Sequence, residues 1–212
     1  MIGTGELVLS LRITTVVVPV ALYFLILGLL NSRRRPQLLR ARRDFLLLVA
    51  ALGPVFVMPA LHWAQGSWAA LAGAGGLLVA GLAAMAPPRA SWVIYNISLP
   101  EASRAAAKAL RAAGLGFVEA EGTFRLTHET GQVRLSAFPL LHNVSVRMAG
   151  APVAAARRFE TALAEQVDDV PAETTPMAMA LLLVATAMLI APLALAAPRA
   201  GQIVRILTGM LY

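Results

Sequence analysis

The sequence predicts an all-α membrane protein with four transmembrane helices and a small α+β domain inserted before the fourth. Of the 212 residues, 58% are hydrophobic and 14% are charged, whereas soluble domains have about 45–50% apolar and about 25% charged residues. Four runs of the chain contain no charged residue and are long enough to cross a bilayer as helices. A polar stretch rich in strand-forming residues separates the third run from the fourth. An entirely soluble fold is therefore excluded.

The four apolar runs define the predicted membrane spans. Each span is expected to be helical, because the bilayer interior offers no hydrogen-bond partner to an open backbone. Residues 1–88 then form an N-terminal membrane domain with three spans, and the fourth span follows the inserted domain. The predicted spans cover residues 13–30, 45–63, 68–88 and 177–198.

The connection between the first two spans, residues 31–44, is rich in arginine. Short connections with many positive charges stay in the cytoplasm. The turn between the second and third spans has no cation, and its Trp63 and Trp68 suit the outer headgroup layer. The sequence therefore predicts both termini outside and residues 89–176 in the cytoplasm. The arginines of the first connection are also candidates for contact with anionic lipid headgroups. They are Arg33, Arg34, Arg35, Arg40, Arg42 and Arg43.

The stretch 89–176 is long enough for a small independent domain. A strand at 92–97 precedes a helix, which begins with Ser98 and Glu101 in the pattern of a capping box. Three strands and a second helix follow, where the segment 117–127 is either one bent strand or two strands. The order β-α-β-β-β-α predicts a two-layer α+β domain, with both helices on one face of an antiparallel sheet.

The third span has small residues at every fourth position. Small side chains on one face of a membrane helix allow another helix backbone to approach closely. The sequence therefore predicts a helix-packing face on this span, formed by Ala72, Gly76, Ala80 and Ala84.

Residues 138–142 form an unusually apolar connection between two strands of the domain. Large apolar side chains at such a place are typical of core packing or of a contact outside the domain. A subunit interface and the inner surface of the bilayer are both compatible with this pattern. The candidate partner-contact residues are Phe138, Leu140 and Leu141.

The tail, residues 199–212, alternates apolar residues with Arg199, Gln202 and Arg205. This spacing suits a helix that lies in the membrane interface. A continuation of the fourth span is the alternative.

No pattern in the sequence indicates a catalytic, cofactor-binding or metal site. The chain has no cysteine, which excludes disulfides and thiolate chemistry. The helix, three strands and helix of the domain resemble the element order of double-stranded RNA-binding domains. The second helix lacks that family's lysine-rich beginning, since residues 152–158 carry only two late arginines. We therefore expect no enzyme activity, no cofactor and no nucleic-acid partner.

Two functions remain compatible with the sequence. The first is a non-catalytic inner-membrane subunit or scaffold, which packs with itself or with larger membrane proteins and docks a partner through its cytoplasmic domain. The second follows from the Ala- and Gly-rich third span, residues 68–88, which resembles the pore helix of small-conductance mechanosensitive channels. That resemblance implies a small homo-oligomeric channel lined by the third span, although the fourth span departs from the family's pattern. The high alanine and arginine content favours a bacterial origin.

Overall fold

The structure is a computed structural model that describes residues 4–63, 67–120, 122–127, 129–171, 176–197 and 201. Of the predicted interfacial tail, only residue 201 lies within this described part. In chain order the elements are α1 (Thr4–Asn31), β1 (Gln37–Arg40), α2 (Ala41–Trp63), α3 (Trp68–Met85), β2 (Ser91–Tyr95), α4 (Leu99–Ala112), β3 (Phe117–Ala120), β4 (Thr123–Leu126), β5 (Gln132–Phe138), a 3₁₀ turn (Pro139–Leu141), β6 (Asn143–Ala149), α5 (Val153–Asp168) and α6 (Pro176–Ala196).

Four of these helices are long and apolar enough to cross a membrane, by length and composition: α1, α2, α3 and α6. They coincide with the four apolar runs of the sequence. The prediction of four long apolar helices combined with an antiparallel sheet is therefore confirmed. We refer to these four helices as the spans.

The sheet has six antiparallel strands in the order β1-β2-β6-β5-β4-β3. The segment 117–127 forms two strands, because Ala120 pairs with Thr123 across a tight turn. Gly122 in that turn has a φ of 71°, a conformation that glycine adopts without steric cost. Four strands therefore separate α4 from α5, so the alternative of two strands at 117–127 is confirmed and the order β-α-β-β-β-α with three strands is wrong.

The sixth strand comes from the arginine-rich connection between α1 and α2. β1 pairs with β2 in an antiparallel register that joins Gln37 to Tyr95. The side-chain amide of Asn96 also donates a hydrogen bond to the backbone oxygen of Arg33, at 2.8 Å. This strand was not predicted from the sequence; the short pair Leu38 and Leu39 between arginines is enough to complete the sheet edge.

The two faces of the sheet pack against different parts of the chain. On one face, Trp92 and Ile94 of β2 belong to the main core, which α4 and α5 cover. On the other face, Val93 and Tyr95 pack against the ends of α1 and α6. We call this second group, with buried members Leu27, Val93, Tyr95 and Leu181, the span–domain cluster. The domain is thus fixed directly to the spans by one edge of its sheet.

The predicted capping box at the start of α4 is present. The Ser98 hydroxyl accepts a hydrogen bond from the backbone N–H of Glu101, and the Glu101 carboxylate accepts from the backbone N–H of Ser98 at 3.1 Å. The Ser98 hydroxyl also donates to that carboxylate and holds the pKa of Glu101 below its ordinary value. The contribution of the cap to stability is therefore complete above the pKa of Glu in the unfolded chain, about 4.3. It is lost as the pH falls through the lower pKa that Glu101 has in the folded protein.

We expect Ser98→Ala to lower the free energy of unfolding by about 0.5–2 kcal/mol, because the first turn of α4 loses its side-chain acceptor. Chemical unfolding of the purified protein in detergent at pH 7 measures this loss. Ser98→Thr keeps the hydroxyl and is the matched control, with a much smaller effect. Equal stability of Ser98→Ala and the unchanged protein would contradict a stabilising cap.

Candidate functional site

The small-residue face of α3 is exposed in the part of the chain that the structure describes. No residue of α3 is buried, and a methyl group placed on Gly76 would meet no atom within 4 Å. The remaining three members of the predicted packing face are exposed as well. They are Ala72, Ala80 and Ala84.

Within the chain, α3 meets α2 through the side of the helix opposite Gly76. Leu71, Ala74 and Leu78 line a groove of about 570 Å³ that separates α3 from Phe56 of α2. Ala74 and Leu78 each lie two residues from Gly76, which places them about 200° around the helix from it. The leucine side of α3 therefore contacts α2 loosely, and its small-residue side points away from the other described elements.

The tightest contact between spans joins α1 to α6. A Cβ atom added to Gly28 would lie 2.8 Å from the Leu182 side chain and 3.2 Å from the Leu182 backbone nitrogen. Ala178 and Ala185 of α6 are fully buried. This contact was not predicted from the sequence. The pattern that could have indicated it is a pair of small residues seven positions apart on each helix, Ala21 and Gly28 on α1 and the two alanines on α6.

Two of the six arginines in the first connection form ion pairs with the domain. Arg40 binds Glu160 of α5 through two hydrogen bonds of 2.6 and 2.9 Å, and these bonds hold the pKa of Glu160 below its ordinary value. Arg35 pairs with Asp168 at 3.0 Å on the surface, where such a pair contributes little. The arginine-rich segment therefore fastens the domain to the spans, in addition to any role in orientation.

The other four arginines of this segment lie on the surface. Arg33 donates a hydrogen bond to the side-chain oxygen of Gln37 at 3.0 Å, and Arg42 donates to the backbone oxygen of Pro87 at 3.3 Å. Arg34 and Arg43 are exposed. All four can reach solvent or lipid headgroups.

The three predicted partner-contact residues lie in different surroundings. Leu141 packs against the span–domain cluster beside Met177 of α6, so its contact lies within the chain. Phe138 is 50% exposed. The side chain of Leu140 lies outside the described part of the structure. Only Phe138 therefore offers a described apolar surface to another molecule.

The face of the sheet that contacts the spans continues into a basic surface. Arg147 of β6 pairs with Arg134 of β5 and with Ser91 of β2. Because paired residues share a face and alternate residues return to it, both arginines lie on the same face as Val93. Their side chains are exposed, and Phe138 lies on this face as well. Where it does not contact the spans, this face of the sheet is therefore basic and carries the exposed aromatic ring of Phe138.

A carboxylate at the domain end of α2 was also missed by the sequence analysis. The Tyr95 hydroxyl donates a hydrogen bond of 2.5 Å to Asp44, and Tyr95 is only 1% exposed. Burial and the bond to Asp44 raise the pKa of Tyr95 well above its ordinary value, so the phenol stays protonated and remains the donor. The contact ties β2 to the first turn of α2.

Among the residues that the structure describes, no three His, Cys, Asp or Glu side chains are grouped closely enough to hold a metal ion. The small-residue face of α3 and the basic face of the sheet around Arg134 and Arg147 are both exposed. No protein-family model, no curated protein and no solved structure matches this chain.

Proposed function

We propose that this protein is a non-catalytic integral subunit or scaffold of a bacterial inner-membrane complex. Its spans pack with a second copy or with a larger membrane protein through α3, and its domain docks a partner on the cytoplasmic side. The observation that carries this proposal is the placement of the small-residue face of α3, which points away from the other described elements.

The composition of α3 supports an association role over a purely lipid-facing one. Helices associate in lipid by close van der Waals packing, and small residues bring the backbones together. Gly76 lies about 200° around α3 from Leu78, the side that contacts α2. A helix that only had to fill the space beside α2 would need no small residues on its far side.

The orientation rests on the charge of the first connection. β1 belongs to this connection and pairs with β2, so the arginines and the domain lie on the same side of the spans. Six arginines favour the cytoplasmic side for that end. The basic face around Arg134 and Arg147 then meets anionic headgroups of the inner leaflet, which makes membrane lipid a second partner of the domain.

We expect Gly76→Ile to weaken the association by about 1–3 kcal/mol, because the branched side chain holds the partner helix away. The measurement is the mass of the complex extracted from native membranes with a mild detergent. We expect the unchanged protein to migrate with additional protein mass, and Gly76→Ile to migrate as a single chain.

Gly81→Ile is the matched control on the same helix. Gly81 lies five residues from Gly76, about 140° around the helix, and a Cβ atom there would also meet nothing within 4 Å. The control should keep the complex. Equal loss in both variants, or a single chain in the unchanged protein, would contradict association through the Gly76 face.

A further inference from the structure

A basic cavity lies where the domain meets the ends of α2 and α3. Its volume is about 390 Å³, and it is open to the surface. Three separate parts of the chain contribute arginines to it: Arg42 from the first turn of α2, Arg89 from the connection after α3, and Arg157 from α5. Arg40 completes the wall together with its partner Glu160.

The charges of this cavity are not balanced. Both oxygens of Glu160 are engaged by Arg40, Arg157 also helps to lower the pKa of Glu160, and no other acidic residue of the described part of the chain lines the cavity. Among the described residues, Arg42, Arg89 and Arg157 form no ion pair. Arginine remains charged at every physiological pH. Three guanidinium groups around one cavity repel each other, and an anion between them removes this repulsion.

The first turn of α5 adds to the positive potential. Val153 and Ala156 of this turn line the cavity. No side chain caps the helix at Pro152, and its first turn contains no acidic residue. The positive end of the helix dipole therefore lies beside the same space as the arginines.

The remaining surface of the cavity suits an organic group attached to the anion. Ala151 and the exposed Val153 line the cavity beside the buried Trp92. Planar guanidinium groups match phosphate oxygens through paired hydrogen bonds. We propose that this cavity binds a phosphate ester, with Arg42, Arg89 and Arg157 around the phosphoryl oxygens and the ester group against Ala151 and Val153.

The position of the cavity allows two kinds of phosphate ester to reach it. Arg42 lies in the first turn of one span, and Arg89 follows the end of another by four residues. This is the depth at which lipid headgroups surround a membrane protein, so an anionic phospholipid can supply the phosphate ester. A soluble phosphate ester can enter from the aqueous side.

The test uses the 212-residue protein in a nonionic detergent. Phosphatidylglycerol, phosphatidylcholine and glycerol 3-phosphate are added separately, and bound ligand is counted by native mass spectrometry over a range of concentrations. The test variant combines Arg89→Gln with Arg157→Gln. Both side chains are exposed, and the thermal midpoint without ligand verifies that the variant is folded.

We expect the double variant to lose at least about tenfold in affinity for the phosphate ester that the unchanged protein binds. Arg104→Gln with Lys108→Gln removes the same charge from the exposed side of α4 and should leave the affinity unchanged. Binding of phosphatidylglycerol in preference to phosphatidylcholine and glycerol 3-phosphate supports the lipid as source, whereas binding of glycerol 3-phosphate supports the soluble ester. The same affinity in the unchanged protein and the folded cavity variant, or an equal loss in the α4 control, would overturn the proposal.

Discussion

Replacement of Tyr95 by alanine is expected to lower the free energy of unfolding by about 3–5 kcal/mol, the usual cost of removing a buried aromatic side chain. Tyr95 is 1% exposed and belongs to the span–domain cluster together with Val93 and Leu27. Its loss opens a cavity at the junction of the sheet with the spans. It also removes the donor that Asp44 uses, which leaves a partly buried carboxylate without that partner.

The measurement is thermal or chemical unfolding of the purified protein in detergent. Tyr95→Phe keeps the ring and removes only the hydroxyl, so its cost should be about 1–3 kcal/mol. A double-mutant cycle of Tyr95→Phe with Asp44→Asn should show an interaction energy between the two positions. A Tyr95→Ala variant as stable as the unchanged protein would show that the domain is not fixed to the spans through this side chain.

Gly28→Ile is expected to destabilise the contact between α1 and α6 by about 1–3 kcal/mol, the usual cost of overpacking. An added Cβ atom would already lie 2.8 Å from the Leu182 side chain and 3.2 Å from its backbone nitrogen. The Leu182 side chain can move, but the backbone of α6 cannot do so without separating from α1. The larger branched side chain of isoleucine therefore forces the two helices apart.

Gly53→Ile provides the control for this substitution. Gly53 lies in α2, and a Cβ atom there would meet nothing within 4 Å, so a branched side chain is tolerated. Unfolding in the same detergent compares the two variants. A stable Gly28→Ile protein, or equal destabilisation of both variants, would contradict close packing of α1 on α6.

The sequence predicted best those features that are determined by residues close together in the chain. The four long helices follow from length and composition, and the capping box follows from Ser98 and Glu101, which lie three residues apart. β1 was missed because its strand signal is only Leu38 and Leu39 between arginines, and the partner strand begins at Ser91. A short edge strand of this kind is specified by the sheet that it completes.

The candidate functional surfaces also differ in whether they can be predicted from the sequence. The small residues of α3 recur at helical spacing, so their common face can be predicted from the sequence alone. Arg42, Arg89 and Arg157 are far apart in the chain, so only the folded structure brings them to one cavity. The bond between Tyr95 and Asp44 joins residues 51 positions apart, and no periodicity predicts such a pair.

The most direct test of association through α3 is photo-crosslinking in native membranes. A photoreactive amino acid is placed at Ala80 on the small-residue face or at Leu78 on the side that contacts α2. We predict a discrete protein adduct from position 80, with twice the mass of the chain if the partner is a second copy, and no intermolecular adduct from position 78. No protein adduct at position 80, or equal adducts at both positions, would contradict the account.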